Sequence, residues 1–380
     1  MYTIEKKLVI ACQSSGYLIR DILKAYIDAG YTVTLITSQD SWDGIKNELP
    51  KNVGHRKVIA YDRSSTIKRL LTWSFCALQM WWKILVHHHK DEVLYVSNPP
   101  FSPLLPLVLG NKFSLLIWDI YPDVLVSQHV FGKESRVVKW WSKKNIKVFS
   151  QAKHVFTISD GMKECLSQYV DESKIKVVPL WPDGMMQRVD KSENLFIKEQ
   201  KLEGKFIVMY SGNLGNTHRM DVLLDVAQLV HDEDVVFLLI GEGGKKKMIE
   251  ERIEKEKIWN VRLLPFQPLE MLPHSLSAAG IAVVTLDSTS SQMSVPSKTF
   301  NLMAIGAPLM CIASPDSELG NLIKKYDVGA IYPPESVVEM AKFVIHLKAE
   351  EQARTRYCNN AKNAAKDFTN ENAKMFIDSI

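Results

Sequence analysis

Short apolar runs alternate with amphipathic stretches along nearly the whole chain. Residues 8–12 form a short apolar run, and 17–29 carry apolar positions at helical spacing until Gly30 ends them. Residues 32–37 resume a β-branched run, and 58–61, 93–96, 113–118, 154–158 and 175–178 are further strand candidates, mostly with helical stretches between. This alternation predicts a parallel sheet covered on both faces. Between 180 and 204 the pattern loosens. Trp181-Pro182-Asp183-Gly184 is turn chemistry and 191–204 is polar and charged, which predicts a linker. Alternation then restarts, with strands at 206–210, 235–240, 260–264, 281–285 and 308–312 and helices at 217–231, 245–257, 297–305 and 317–326. The pattern divides the chain into α/β domains at 1–185 and 186–362, followed by a helical segment, 363–380, that crosses back to the first.

The length of 380 residues suits two such domains, each able to bury its own core. The net charge of +4 is too balanced for a general nucleic-acid binder, so any basic function is local. Cys12, Cys76, Cys165, Cys311 and Cys358 are scattered and form no CxxC pair, which suits a reducing cytoplasm and supplies no zinc or redox motif. The apolar run after Lys7 is too short for a signal peptide. No stretch approaches the ~20 apolar residues that span a bilayer. His87-His88-His89 cannot share one helix face, and the sequence offers no ligand set around it, so it fits a helix C-terminus better than a metal site.

Candidate chemistry falls after the strands, because parallel sheets bind ligands at the carboxyl ends of their strands. Gln13-Ser14-Ser15-Gly16 follows the first strand, where small residues can turn backbone N–H groups to a ligand or simply form a tight turn. Asp119, in Trp118-Asp119-Ile120-Tyr121-Pro122-Asp123, is placed to meet an acceptor hydroxyl, and equally to cap a helix or pair in a loop. Tyr210-Ser211-Gly212-Asn213-Leu214-Gly215-Asn216-Thr217-His218 opens the second half as strand, glycines and helix start, which makes an anion site or a structural turn. It is neither GxGxxG nor a P-loop. Gly241-Glu242-Gly243-Gly244 allows close backbone approach, and Lys245-Lys246-Lys247 behind it suits a solvated helix start. In Val295-Pro296-Ser297-Lys298, Ser297 is a natural helix cap. Lys298 is unfavourable for the helix dipole unless an anion sits there. Two such loops in one domain suggest a diphosphate held between them.

Together these stretches resemble the GT-B glycosyltransferases of family 4, and more narrowly the branch that builds bacterial capsules, O-antigens and exopolysaccharides. The resemblance also rests on Thr157-Ile158-Ser159-Asp160-Gly161-Met162, Val178-Pro179-Leu180-Trp181-Pro182-Asp183 and Leu264-Pro265-Phe266-Gln267-Pro268, which follow the family's order. It implies two Rossmann-like, doubly wound α/β domains facing a cleft, with the nucleotide diphosphate sugar held by the second. On that reading the loop 212–215, with Asn213, and Lys298 contact the diphosphate. Gly241 and Glu242 approach the donor, Phe266 and Gln267 lie beside the base, and Asn301 faces the ribose. Ser15 and Gly16 close on the donor from the first domain, and Asp119 lies near the acceptor. Transfer retains anomeric configuration, needs no metal or other cofactor, and delivers the sugar to a lipid-linked saccharide. This chain has Asn213 and His218 where many members carry Arg and Lys, and Met293 and Asn301 at the positions of a Glu-x7-Glu pair. Lys298 and Arg219 then supply the positive charge. Two other readings stay open: a GT-B epimerase acting on a UDP-sugar, and a non-catalytic nucleotide-sugar-binding partner of another transferase.

As a helix, 136–149 puts Arg136, Lys139, Lys143 and Lys147 on one face and Val137, Val138, Trp141, Val148 and Phe149 on the other, with Trp140 among the basic residues. That pattern suits either an anionic membrane surface or a packed helix with a solvated face. With a lipid-linked acceptor, it predicts a cytoplasmic protein peripheral to the inner face of the membrane. The stretch 67–86 has only a narrow polar stripe of Lys68, Arg69, Thr72, Gln79 and Lys83, with Trp73, Trp81 and Trp82 elsewhere, and predicts a buried core helix rather than an addition to that patch.

Overall fold

The computed structural model describes residues 6–62, 64–215, 218–287 and 295–378. The chain divides into two compact units, one of Met1–Leu180 with Asn370–Ile380 and one of Trp181–Thr369.

The first unit is built on seven parallel strands: β1 (Lys7–Ala11), β2 (Thr32–Ser38), β3 (Gly54–Val58), β4 (Glu92–Val96), β5 (Phe113–Leu116), β6 (Val155–Thr157) and β7 (Ile175–Val177). Their order is β3-β2-β1-β4-β5-β6-β7. Between them run α1 (Tyr17–Asp28), α2 (Gln39–Ile45), α3 (Thr66–His87), α4 (Asp123–Ser127), α5 (Arg136–Gln151) and α6 (Asp160–Ser167). The second unit starts with α7 (Leu195–Glu199) and has six parallel strands: β8 (Phe206–Ser211), β9 (Val235–Ile240), β10 (Val261–Leu264), β11 (Ile281–Thr285), β12 (Leu309–Ile312) and β13 (Gly329–Tyr332). Their order is β10-β9-β8-β11-β12-β13. Its remaining helices are α8 (Met220–Leu229), α9 (Lys246–Lys255), α10 (Leu272–Ser277), α11 (Lys298–Ile305), α12 (Glu318–Tyr326), α13 (Val337–Ala349) and α14 (Glu351–Ala364). Both units are doubly wound Rossmann-like α/β structures. The strand order reverses between β1 and β4 in one and between β8 and β11 in the other, and a crevice for ligands opens at such a point.

The sequence explains the central strands directly. All six residues of β9, Val-Val-Phe-Leu-Leu-Ile, are buried, as a strand covered on both faces requires. The edge strand β3, Gly-His-Arg-Lys-Val, lies before the predicted run at 58–61, because an edge needs few apolar positions. The polar stretch 191–204, which the pattern gives as a linker, is packed into the second unit instead. Asn194 is buried there; its Oδ1 accepts the Ile197 N–H at 3.1 Å and caps α7, and its Nδ2 donates to the His274 carbonyl at 2.7 Å. Phe196 is fully buried. Three consecutive apolar residues are too short a signal for a sequence pattern to register. At the other end of the chain, Tyr26 donates to the Phe376 carbonyl at 3.4 Å and Phe156 packs on the Phe376 ring, tying the last helical turns to the first unit.

Two helices depart from their expected environments. α5 buries Val138, Trp141, Val148 and Phe149, but Val137 is 46% exposed beside Trp140, which is 54% exposed. α3 is not a core helix: it buries only Cys76, Ala77, Met80 and Ile84.

Candidate functional site

The second unit gathers its polar chemistry where the strand order reverses. β8 ends at Ser211, and Gly212 follows with φ +148°, a conformation that only glycine adopts without strain. The loop it opens lies backbone to backbone on the loop after β9. Gly212 N–H donates to the Ile240 carbonyl at 2.9 Å, Leu214 N–H to the Glu242 carbonyl at 2.8 Å, and Lys245 N–H to the Leu214 carbonyl at 2.9 Å. A Cβ on Gly241 would collide with the Gly212 carbonyl, and one on Gly243 with Leu214. The glycines of the second loop therefore serve this packing, and the Glu242 carboxylate takes the Lys246 ammonium at 2.9 Å.

Lys298 is the first residue of α11. Ser297 stands at the cap position but makes no side-chain cap bond, because its own backbone is already helical. The Lys298 chain reaches back to the end of β8. Its Nζ lies 3.9 Å from the centroid of the Tyr210 ring and would be only 2.5 Å from a Cβ on Gly212. The atom is buried and has no hydrogen-bond partner among the described residues. Burial pulls the ammonium down to about 7. The ring face partly compensates a buried cation, and Tyr210 is fixed by its hydroxyl donating to the Asn213 carbonyl at 2.7 Å.

His218 bonds Thr285, at the end of β11, through Nδ1 at 2.9 Å, which joins the two sides of the reversal point. Burial, reinforced by the Lys298 ammonium, pushes its imidazole down to about 4, so it is neutral at physiological pH. Arg219 is held by Asp221 at 3.0 Å. Lys245 lies 3.6 Å from the same carboxylate and donates to the His218 carbonyl at 2.7 Å. Two cations on one carboxylate leave a surplus positive charge beside the loop.

A cavity of about 450 Å³ opens against this group. Ser211, Gly212, Lys298 and Asn301 supply its polar wall, and Met209, Leu272, Leu276 and Leu302 its apolar lining. Phe266, 53% exposed, and Gln267 also line it. Gln267 folds back to donate to the Pro265 carbonyl at 2.9 Å. The Asn301 Oδ1 accepts the Asp183 N–H at 3.0 Å, which leaves its amide hydrogens for a ligand. An apolar pocket with a few convergent polar groups and a buried, unpaired ammonium can hold a small anionic ligand by its charged end.

The structure thus brings Gly212, Phe266, Gln267, Lys298 and Asn301 to one cavity, with Asn213, Gly215, His218, Arg219, Gly241, Glu242 and Ser297 in the loops around it. Met293 lies outside the described residues. Ser15, Gly16 and Asp119 belong to the first unit. Ser15 Oγ is 2.9 Å from Thr37 Oγ1, and Gly16 precedes α1 with open space where a side chain would be. Asp119 follows β5, desolvation raises its carboxyl above the usual range, and its N–H and that of Trp118 both donate to Ser97 Oγ. The sequence reading gives Lys245 as part of a solvated helix start, whereas the structure sets its ammonium against Asp221 and the His218 carbonyl. The sequence reading overlooked Leu272 and Leu276, whose four-residue spacing is the mark of one face of α10.

Two doubly wound units with a buried cation at the reversal point of the second define a protein of GT-B fold. Residues 191–364 match the family described as glycosyl transferases group 1. It is 26% identical over 260 residues to the probable glycosyltransferase WbjE of Pseudomonas aeruginosa, covering 67% of this chain and 65% of that protein. The match therefore spans just under two thirds of that relative's length. It is 24% identical over 286 residues to the putative colanic acid biosynthesis glycosyl transferase WcaI of Escherichia coli K12, covering 72% and 70%. Among solved structures it resembles HepE of Anabaena in complex with UDP-glucose, with a TM-score of 0.73, 14% identity and 98% of each chain covered.

Proposed function

We propose that this protein transfers a sugar from a nucleotide diphosphate sugar to a hydroxyl of a saccharide acceptor during synthesis of a bacterial surface polysaccharide. The observation that carries the reading is the buried Lys298 ammonium, without a hydrogen-bond partner among the described residues and held over Tyr210 and beside Gly212 in the cavity wall. A buried cation without a counter-ion is costly, and a diphosphate supplies the missing partner. The name of WcaI supports the polysaccharide context, that of WbjE supports sugar transfer, and the HepE complex supports a nucleotide diphosphate sugar as donor.

In this reading negative charge grows on the leaving diphosphate as the glycosidic bond breaks. Lys298 neutralises it, aided by the surplus charge of Arg219 and Lys245, and such preorganised stabilisation is the largest contribution in many active sites. The base lies against Phe266 and Gln267, and the Asn301 amide donates to the ribose. Ser15 and Gly16 close on the donor, and Asp119 orients or deprotonates the acceptor hydroxyl. The donated sugar keeps its anomeric configuration, and the positive charge comes from side chains rather than a metal. The acceptor saccharide is lipid-linked, and the protein works in the cytoplasm at the inner face of the membrane, with the Trp140 face of its first unit against anionic lipid.

The test is incubation of the purified protein with a panel of nucleotide diphosphate sugars and a lipid-linked saccharide extract, with products resolved by mass. Transfer, or slow release of the nucleoside diphosphate, supports the reading. An epimerised donor would make the protein an epimerase, and binding without turnover a non-catalytic partner. Asp119→Asn should suppress transfer while donor affinity stays near wild type; lost donor affinity with intact transfer would remove Asp119 from the acceptor side.

A further inference from the structure

α3 carries two apolar faces where a surface helix needs one. Cys76, Ala77, Met80 and Ile84 are buried in the first unit. Ile67, Leu71, Phe75, Leu78, Trp82 and Leu85 are 41–72% exposed. At ~100° per residue these six fall within an arc of ~80°, on the side away from the buried four. Their spacing of three and four residues makes a continuous stripe over five turns. A stripe of this length left in water is a large unfavourable surface on a monomer, and marks a site of interaction.

Charge decides what covers it. α3 contains Lys68, Arg69 and Lys83 and no Asp or Glu. α5 contains Arg136, Lys139, Lys143, Lys144 and Lys147 and likewise no Asp or Glu. Eight basic residues in two helices stand against a net charge of +4 for the whole chain. The helices are neighbours: both touch the turn Ser102–Leu107, and an aromatic chain runs from Trp73 through Tyr121 to Trp141, with centroids 6.1 and 5.8 Å apart. α5 exposes Trp140, Val137 and Ile146. A second copy meeting this stripe would set like charges against each other, whereas an anionic lipid surface accepts both the stripe and its basic border. Among the described residues no helix is long and apolar enough to cross a membrane. α3 is also held along its other face by the core of the first unit.

We propose that α3 is an interfacial helix whose outer stripe lies in the plane of an anionic bilayer, with Lys68 and Lys83 of α3 and the basic residues of α5 at the headgroups, while Arg69 turns in over Trp73. The inference rests on the membrane-borne acceptor of the proposed function and names the element that does the anchoring: α3, with α5 as its electrostatic border.

The experiment is co-sedimentation with vesicles of phosphatidylglycerol and phosphatidylethanolamine at low and high salt, with donor turnover measured on the same samples. Replacing Phe75→Ser, Leu78→Ser and Trp82→Ser together should weaken vesicle binding about tenfold or more at both salt concentrations, because the lost interaction is apolar. Donor turnover should stay at wild type, since exposed residues support no core. Lys143→Glu with Lys147→Glu should weaken binding mainly at low salt. The proposal is overturned if the triple variant sediments like wild type. It is also overturned if wild type ignores the vesicles and forms a dimer that the triple variant dissociates. Vesicle binding by a protein that turns over no donor would contradict the proposed function and leave the docking of α3 standing.

Discussion

Lys298 combines three properties that ordinarily exclude one another: it is a cation, its Nζ is buried, and it has no hydrogen-bond partner among the described residues. With burial holding its ammonium near 7, binding of a diphosphate should raise it towards the usual lysine range. The sign of the pH dependence follows. Below about 7 the lysine is protonated whether or not donor is bound, and affinity is flat. Above it, each donor bound takes up a proton, so affinity should fall by up to ~10-fold per pH unit. His218, near 4, stays neutral through this range and adds no slope. Calorimetric titration with the donor between pH 6.5 and 9 should show the decline for wild type and none for Lys298→Met. A wild-type affinity that is constant with pH would mean that the lysine does not meet the diphosphate. Nothing in residue order foretells this behaviour. The sequence marks Lys298 as a cation misplaced on a helix dipole, but only the fold turns it across β8 to Tyr210.

Among the elements, the loops after β8 and β9 behave as one body. Gly212, Gly241 and Gly243 all have φ near +150°, and the last two leave no room for a side chain. Gly241→Ala should therefore destabilise the second unit by about 1–3 kcal/mol and loosen the loop under Lys298. Urea unfolding followed by tryptophan fluorescence would measure the first effect, and donor affinity the second. An alanine variant as stable as wild type would show that the loops can separate freely. The strands beside these loops were readable because β9 and β11 are unbroken apolar runs. α7, α10 and β13 were not, since each offers only a few apolar residues, and their placement comes from partners distant in sequence, such as His274 for Asn194. α3 misleads in the opposite direction. Its apolar residues encircle the helix, a pattern that ordinarily marks a core element, yet one arc of them faces outward.

At the scale of the whole molecule, the alternation of strand and helix states the architecture twice, once in each unit, and the reversal of strand order locates a crevice in each. Motifs at the ends of strands point to the same places, because a loop that approaches a ligand must use small residues wherever it sits. What the motifs leave out is pairing: the carboxylate of Asp221 offsets one of the two charges of Arg219 and Lys245, and the buried charge in the cavity wall is that of Lys298. The measurement that tests the account most directly is nucleoside diphosphate release from the cognate donor by Lys298→Ala beside wild type. Turnover should fall by roughly 10²–10³-fold, the loss that follows removal of one group stabilising transition-state charge, with thermal stability preserved. Wild-type turnover in a folded Lys298→Ala protein would contradict it.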